Sequence, residues 1–243
     1  MSHIITKPAY QSAEHDPLGC IGCESRTLGI CGALQGEQLL ELSRMSHKKC
    51  VESGSRIGRV VSSEDTFGVI LSGVVSLSKN LPDGRHQIVA LQFAPSFVGR
   101  PFRPLDDIEV SASGQVRICT FPRRSFETML SNNGDLEHRL LAETLTKLDD
   151  TRDWLMALGS KTALERVATY LEMIAVHTAK SSHADRDIPM PLSRGEMADF
   201  LGLTIETVSR KMTELRKMKI ITFATAASIR IDSEPDLHRV SGS

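Results

Sequence analysis

The chain has almost no excess of charge of either sign and no long apolar run. Its 243 residues carry 29 lysines and arginines against 30 aspartates and glutamates, so any surface that binds nucleic acid must be local. The longest uncharged apolar stretch, Thr66 to Ser78, is too short and too rich in serine and glycine to span a bilayer. The first residues lack the basic start and continuous apolar core of an export signal, which predicts a cytoplasmic protein without a membrane partner.

The sequence motifs of the common enzyme classes are also missing. The chain contains no G-x-S-x-G, G-x-G-x-x-G, P-loop or H-E-x-x-H pattern, and its histidines form no pair with ligand spacing. The βαβ pattern that normally surrounds a redox-active C-x-x-C is absent as well. We therefore expect a protein that is not an enzyme.

Hydrophobic patterning divides the chain into four parts. Residues 1–35 have little apolar periodicity, whereas residues 36–122 contain short runs rich in valine and isoleucine, typical of an antiparallel barrel or sandwich. Residues 123–160 show a helical pattern, and residues 161–243 contain a further helix and a compact unit that begins near Ile188. The predicted fold class is therefore α+β. The predicted strands are Arg56–Val61, Phe67–Leu71, Val74–Ser78, His86–Phe93, Ile108–Ala112 and Val116–Phe121.

A long helix is predicted from Asp135 to about Leu158, where five positions, four of them leucines, recur at alternating steps of four and three. This is the spacing of a coiled-coil seam, with Arg152 at its one polar position. An apolar stripe of this length needs a partner surface, and periodicity alone leaves open whether that surface is the chain's own barrel or a second copy. The candidate dimerisation residues are Leu141, Leu145, Leu148, Arg152 and Leu155.

The C-terminal unit carries clear signals for two short helices joined by a turn. Ser193 and Glu196 form an S-x-x-E capping box, Gly202 offers the left-handed conformation that ends a helix, and Thr204 can cap the next one. The second helix is then predicted to have one apolar face and one polar face. Its apolar residues are Ile205, Val208, Met212 and Leu215, and its polar ones are Glu206, Ser209, Arg210 and Thr213.

The polar face suits the major groove of DNA. Arg210 can donate two hydrogen bonds to guanine, Glu206 can accept one from cytosine, and Ser209 is a versatile short contact. Nearby lysines and arginines, Lys211 among them, can contact phosphates. A solvated face held by a Glu206–Arg210 ion pair is the alternative interpretation. The candidate DNA-binding residues are Thr204, Glu206, Thr207, Ser209, Arg210 and Lys211.

The string Leu192 to Leu215, LSRGEMADFLGLTIETVSRKMTEL, resembles the helix-turn-helix of the Crp/Fnr regulators, and Glu206–Arg210 matches the E-x-x-S-R pattern of their Fnr branch. Ile220–Phe223 and Ser228–Ile231 would supply the wing that follows this motif. The resemblance implies a β-roll, a dimerisation helix and a winged helix-turn-helix in one homodimeric activator. It also implies binding to palindromic TTGAT-like sites and a contact with RNA polymerase that includes the turn at Pro82-Asp83-Gly84.

Three cysteines near the start, Cys20, Cys23 and Cys31, have the spacing of metal ligands, and glycine neighbours or lies close to each of them. Glycine lets the backbone wrap closely around a metal centre. The C-x2-C-x7-C spacing does not by itself choose between zinc and an iron–sulfur cluster. A fourth ligand is also needed, and the candidates are His15, His47, Cys50 and Cys119.

The family resemblance implies an oxygen-labile [4Fe-4S] cluster, bound by three N-terminal cysteines and one at the end of the β-roll. The matching residues are Cys20, Cys23, Cys31 and Cys119, and the wide gap before Cys31 is similar to that of FnrL-type proteins. Cys50 has no counterpart in the pattern and is interpreted as a free thiol.

Two alternatives remain beside the iron–sulfur regulator. One is a regulator of the same family with structural zinc or another small-molecule effector, and the other is a metal-binding interaction protein without DNA activity. A cyclic nucleotide is not expected, because the chain reads Val98-Gly99-Arg100-Pro101 where a Crp-like pocket needs a Gly-Glu pair. Arg100 and Arg103 could still bind an anion, although exposed arginines are more often only solvated.

Overall fold

The structure is a computed structural model that describes residues 19–57, 66–102, 108–179, 187–225 and 227–242. Within these residues the chain forms an N-terminal antiparallel sheet, a long helix and a C-terminal unit of helices with a small sheet. The predicted α+β fold class is therefore confirmed. No helix in the described ranges has the length and apolarity needed to cross a membrane.

The N-terminal sheet is antiparallel throughout its pairings. Four of its strands follow the order β1-β5-β2-β3, and the short β4 also pairs with β2. Of the predicted strand Arg56–Val61, only the first two residues lie within the described ranges, and Arg56 forms an isolated bridge with Ser111. The strands are β1 (His47–Val51), β2 (Thr66–Asn80), β3 (His86–Phe93), β4 (Phe97–Val98) and β5 (Glu109–Pro122).

The predicted break between Phe67–Leu71 and Val74–Ser78 is wrong, and so is the one between Ile108–Ala112 and Val116–Phe121, because β2 and β5 run through Ser72-Gly73 and Ser113-Gly114 as long paired strands. The pairing shifts register on either side of Ser72, as it does at a β-bulge. Gly73 has a φ of 91°, and a Cβ there would lie 2.4 Å from the carbonyl oxygen of Gln115. The glycine therefore marks a bend within a strand and not the end of one.

Seven helices are found within the described residues, together with two short 3-10 turns at Glu24–Arg26 and Ile30–Ala33. The long helix α3 begins where the side chain of Asn133 accepts hydrogen bonds from the backbone N–H groups of Asp135 and Leu136. The helices are α1 (Gly36–Met45), α2 (Arg123–Ser131), α3 (Gly134–Ser160), α4 (Ala163–Ala179), α5 (Arg194–Leu201), α6 (Ile205–Lys217) and α7 (Glu234–Ser241). The small sheet has the order β6-β8-β7, with β6 (Asp187–Pro189), β7 (Ile221–Thr225) and β8 (Ser228–Ile231).

Apolar side chains form three buried clusters. The first fills the inside of the roll with branched aliphatic residues such as Val75 and Ile118. The second is rich in phenylalanine and lies beneath residues 19–34, whose Ile30 and Leu34 belong to it. The third forms the core of the C-terminal unit and includes Ile88 from strand β3. The roll therefore contributes directly to the core of the C-terminal unit.

Three further contacts hold helix α5 against the rest of the chain. Gln87 in β3 donates a hydrogen bond of 2.6 Å to the carbonyl oxygen of Asp199, and His86 lies 3.4 Å from the Asp199 carboxylate. From the other side, the ring of Trp154 in α3 stacks on Phe200 with centroids 4.2 Å apart. The C-terminal unit is thus packed against both the roll and the long helix.

Candidate DNA-binding surface and cysteine cluster

Helices α5 and α6 form the helix-turn-helix, and its boundaries are set by local contacts. The hydroxyl of Ser193 accepts a hydrogen bond of 3.3 Å from the backbone N–H of Glu196, whose carboxylate accepts one of 2.8 Å from the N–H of Ser193. Gly202 ends α5 with a φ of 62°, and the hydroxyl of Thr204 caps α6 at Thr207. The predicted capping box, glycine turn and second cap are all confirmed.

Helix α6 buries one face completely and leaves the other in solvent. Val208, Met212 and Leu215 have no exposed surface, while Glu206, Ser209 and Arg210 are exposed together. The prediction that Ile205 shares the buried face is wrong, since it is 51% exposed. It is the first residue of α6, and its Cδ1 lies near Gly195 of α5, which has no side chain to cover it. An apolar side chain thus lies at the start of the face predicted to read bases, where it could contact a thymine methyl group.

The charged side chains of α6 differ in their exposure and in the neighbouring groups that hold them. The pKa of Glu206 is lowered because its carboxylate accepts a hydrogen bond from its own backbone N–H and another from Thr204. Among the described residues Glu206 and Arg210 are both exposed and are not joined to each other by an ion pair. Lys211 is half-buried and lies 2.8 Å from the carboxylate of Glu214. Arg210 is therefore better placed than Lys211 to reach a ligand.

The wing strand β7 is fixed to the helix-turn-helix by an aromatic residue. The guanidinium groups of Arg194 and Arg216 lie 5.6 and 5.2 Å from the ring centroid of Phe223. Both distances suit cation–π contact. No sequence pattern points to this role of Arg194, because the contact joins residues almost thirty positions apart in the chain.

The residues 19–34, here called the cysteine segment, are attached to the body of the chain at three points. Lys48 Nζ lies 3.4 Å from the carbonyl oxygen of Gly19, and the hydroxyl of Ser25 donates to the carbonyl of Leu71 over 3.2 Å. Arg139 in α3 donates a hydrogen bond of 2.7 Å to the carbonyl oxygen of Thr27. The segment is therefore fixed to both sides of the roll and to the long helix.

Cys119 in β5 lies beside this segment. It is buried, and its partner across the sheet is Lys48, which also contacts Gly19 next to Cys20. Burial raises the pKa of the Cys119 thiol to about 11, and the nearby thiols of Cys20 and Cys23 act in the same direction. The pKa of Cys31 is raised as well, first by burial and then by Cys119, Cys20 and Cys23. The four cysteines singled out from the sequence thus lie near enough for their thiols to influence one another electrostatically.

The other candidates for a fourth ligand are less well placed. Cys50 and His47 are both exposed in β1, and His15 lies outside the described residues. Among the side chains that the structure describes, no three Cys, His, Asp or Glu residues are gathered closely enough to bind one metal ion. The thiols of a [4Fe-4S] cluster each bind a different iron atom, so they do not need to converge on one point.

Two glycines of the cysteine segment are required by close backbone contacts. A Cβ at Gly29 would lie 2.8 Å from the carbonyl oxygen of Ser25, and one at Gly32 would lie 2.8 Å from that of Arg26. Any larger residue at these positions would push the turns between the cysteines apart. Glycine at these two positions therefore lets the segment wrap tightly, as expected from the sequence.

The leucines of the predicted seam lie uncovered on helix α3. Leu141, Leu145, Leu148 and Leu155 are between 44% and 64% exposed, and Met156 is 67% exposed. Arg152 is exposed too and pairs with Asp149 of its own helix at 2.9 Å. The part of the roll that the structure describes therefore leaves about half of each leucine side chain uncovered.

The loop where a cyclic nucleotide would bind in Crp-like proteins is partly described. Gly99 has a φ of 146°, and a Cβ there would lie 2.4 Å from the ring of Phe67. Arg100 is exposed, and Arg103 lies outside the described residues. Position 99 thus requires a glycine because the backbone there lies close to the ring of Phe67.

Comparison with known proteins places this architecture in a family. Residues 165–240 match the Crp-like helix-turn-helix domain. A probable transcriptional activator of Rhizobium leguminosarum bv. viciae is 42% identical, over 92% of this chain and 93% of its own. The transcriptional activator protein FnrL of Cereibacter sphaeroides is 34% identical, over 83% of each chain. The chain belongs to the Crp/Fnr family of transcription regulators.

Solved structures of the Crp/Fnr family show the same fold. The structure of FixK2 from Bradyrhizobium japonicum superposes with a TM-score of 0.72 at 26% identity, over 82% of this chain and 98% of that one. The predicted family is thereby confirmed, and the chain is a DNA-binding transcriptional activator of Crp/Fnr type. Regulators of this family are typically dimers, and the family is one of transcription regulators and not of enzymes.

Proposed function

We propose that this Crp/Fnr regulator responds to oxygen, and that it binds palindromic TTGAT-like sites as a homodimer while Cys20, Cys23, Cys31 and Cys119 hold a [4Fe-4S] cluster. The observation that carries the proposal is the position of the cysteine segment, where Gly19, next to Cys20, contacts Lys48, the strand partner of the buried Cys119. The relative named FnrL supports the same branch of the family.

The residues present fit such a cluster. The four side chains are all thiols, which is the ligand set of [4Fe-4S] centres, and Gly29 and Gly32 near Cys31 lie too close to backbone carbonyls to carry a side chain. Zinc in the same place would need the ligands to converge on one ion. The metal and acid-labile sulfide content of the purified protein therefore distinguishes the cluster from structural zinc.

The chain's own contacts suggest how the signal reaches DNA. The bound cluster would join the cysteine segment to Cys119 through a group that oxygen destroys. The four thiolates would hold the cysteine segment on the roll, and the segment in turn packs against α3 through Arg139 and the apolar cluster. A firmly packed α3 would then present Leu141, Leu145 and Leu148 to the same helix of a second copy.

Such a dimer would present two copies of α6 to DNA about one helical turn, roughly 34 Å, apart. Arg210, Glu206 and Ser209 would then read base edges in successive major grooves, and Thr204, Thr207 and Lys211 would lie nearer the phosphates. The four parts of the chain, 1–35, 36–122, 123–160 and 161–243, would serve as cluster segment, β-roll, dimerisation region and DNA-binding domain. We further propose RNA polymerase as a partner and no cyclic nucleotide as effector.

The ligand set is tested by one substitution and its control. In protein purified without oxygen, Cys119→Ser should abolish the bound iron and acid-labile sulfide, because the cluster loses one of four thiolates. Cys50→Ser removes an exposed thiol and should leave the iron content unchanged. A full iron content in Cys119→Ser would move the fourth ligand elsewhere. Iron-free protein that instead binds zinc through the same cysteines would favour the zinc regulator.

A further inference from the structure

Helix α3 carries a second stripe of residues on the side opposite its exposed leucines. Arg139, Glu143 and Lys147 follow one another at steps of four, so they lie on one face of the helix. All three are half-buried, whereas Leu141, Leu145 and Leu148 are exposed. This inner stripe is the charged side of α3, which contacts the roll and the cysteine segment.

Two members of the inner stripe attach the helix to the roll. The carboxylate of Glu143 accepts a hydrogen bond of 2.8 Å from the backbone N–H of Phe97, and Lys147 Nζ donates one of 2.8 Å to the carbonyl oxygen of the same residue. Glu143 and Lys147 also pair with each other at 2.7 Å. The middle of α3 is therefore fixed to β4, which lies outside the cysteine segment.

Arg139 differs from the other two because it holds the cysteine segment itself. Its Nη2 donates to the carbonyl oxygen of Thr27, which lies between Cys23 and Cys31. The guanidinium also lies close to the backbone of Gly32, where a Cβ would be 3.1 Å from Nη1. Arg139 thus contacts the turn on both sides of Cys31, and it stands two residues before the first leucine of the seam.

We infer that Arg139 is the positioning residue that couples the cysteine segment to the dimerisation face of α3. Glu143 and Lys147 attach the middle of the helix to the backbone of Phe97, and the buried Leu136 attaches its first turn to the phenylalanine-rich cluster. Arg139 adds a hydrogen bond from the first turns of α3, near Leu141, to the backbone of the segment, and this contact lasts only while the segment keeps its place. This inference rests on the proposed function, since it assigns the route by which the segment acts on the seam.

The first test measures the contact without any metal. Hydrogen exchange of the metal-free full chain should be faster at the amides of residues 25–34 in Arg139→Ala than in wild type, because the segment loses one of its three attachments. Arg139→Lys should show an intermediate increase, since a lysine keeps the charge but lacks the rigid fork of donors. Arg124→Ala, at an exposed arginine of α2, is the matched control and should not change the exchange.

The second test measures the coupling in protein purified and reconstituted without oxygen. Arg139→Ala keeps all four thiols and should bind about four iron atoms per chain. Its dimer dissociation constant, from sedimentation, should nevertheless rise on the order of 10-fold over wild type. Arg124→Ala should match wild type in both readouts.

The outcomes separate the inference from the proposed function. Unchanged exchange, or unchanged dimerisation despite faster exchange, would overturn the inference. Loss of iron in Arg139→Ala would also overturn it, because Arg139 would then be needed for the cluster itself. Wild-type protein without iron would contradict the proposed function. The same comparisons on metal-free protein would then decide the inference, and equal dimerisation of wild type and Arg139→Ala would overturn it.

Discussion

The recognition helix α6 and the long helix α3 both carry an apolar stripe, but the two stripes end up in different surroundings. In α6, Val208, Met212 and Leu215 have no exposed surface. In α3, the leucines of the seam remain between 44% and 64% exposed within the described part of the chain. The stripe of α6 is buried within its own unit, whereas that of α3 stays about half exposed in the described part of the chain.

This difference assigns the two helices different tasks. A stripe that is covered within the chain stabilises the fold and leaves the opposite face free to meet a ligand. A stripe left uncovered over several turns is a surface for association, because exposed apolar area of this extent is rarely retained without a partner. Substitutions in the two stripes should therefore affect different measurements.

The largest effect on folding is expected from the covered stripe. Met212→Ala removes a side chain with no exposed surface, and the cavity should lower the free energy of unfolding by about 2–5 kcal/mol. Met156→Ala makes the same chemical change on α3 at a residue that is 67% exposed. It should alter the free energy of unfolding by less than about 0.5 kcal/mol. Denaturant titration of both variants checks the contrast, and equal losses would contradict it.

A smaller effect, on DNA binding and not on folding, is expected from the exposed face of α6. Arg210→Ala should cost about 1–3 kcal/mol of binding free energy at a palindromic TTGAT-like site and relax base preference there. The unfolding midpoint should stay unchanged, because Arg210 is exposed. Quantitative mobility shifts on specific and random DNA provide the measurement. An equal loss on both probes would make Arg210 a phosphate contact.

The smallest effect on folding is expected from the seam. Leu148→Ala should change the free energy of unfolding of the dilute, air-exposed protein by less than about 0.5 kcal/mol, because the residue is 44% exposed. The same variant, kept without oxygen, should form weaker dimers in sedimentation. If its unfolding free energy falls like that of Met212→Ala, the seam is covered within the chain and the comparison fails.

The sequence predicted the DNA-binding unit well because the signals there are local. The capping box of Ser193 and Glu196, the turn at Gly202 and the cap at Thr204 each act over three residues or fewer, so their outcome hardly depends on the rest of the fold. Ile205 is the exception, since whether an edge position is covered depends on neighbouring elements and not on periodicity.

The surroundings of the cysteines were less predictable because they are built from distant parts of the chain. The polar strand β1 carries no alternating pattern, yet it places Lys48 opposite Cys119. The contact of Arg139 with Thr27 spans 112 residues. The proposed role of the cysteines as ligands follows from their spacing and the family resemblance. The contacts that hold the cysteine segment could not be predicted from the sequence.

The central claim is tested most directly by following colour and DNA binding in one sample. Protein purified without oxygen is mixed with a palindromic TTGAT-like probe, and its visible absorption and its affinity for the probe are recorded before and after air is admitted. The account predicts a brown chromophore that bleaches while the affinity falls with it. A protein that stays colourless after anaerobic reconstitution, or whose affinity is unchanged after bleaching, would contradict it.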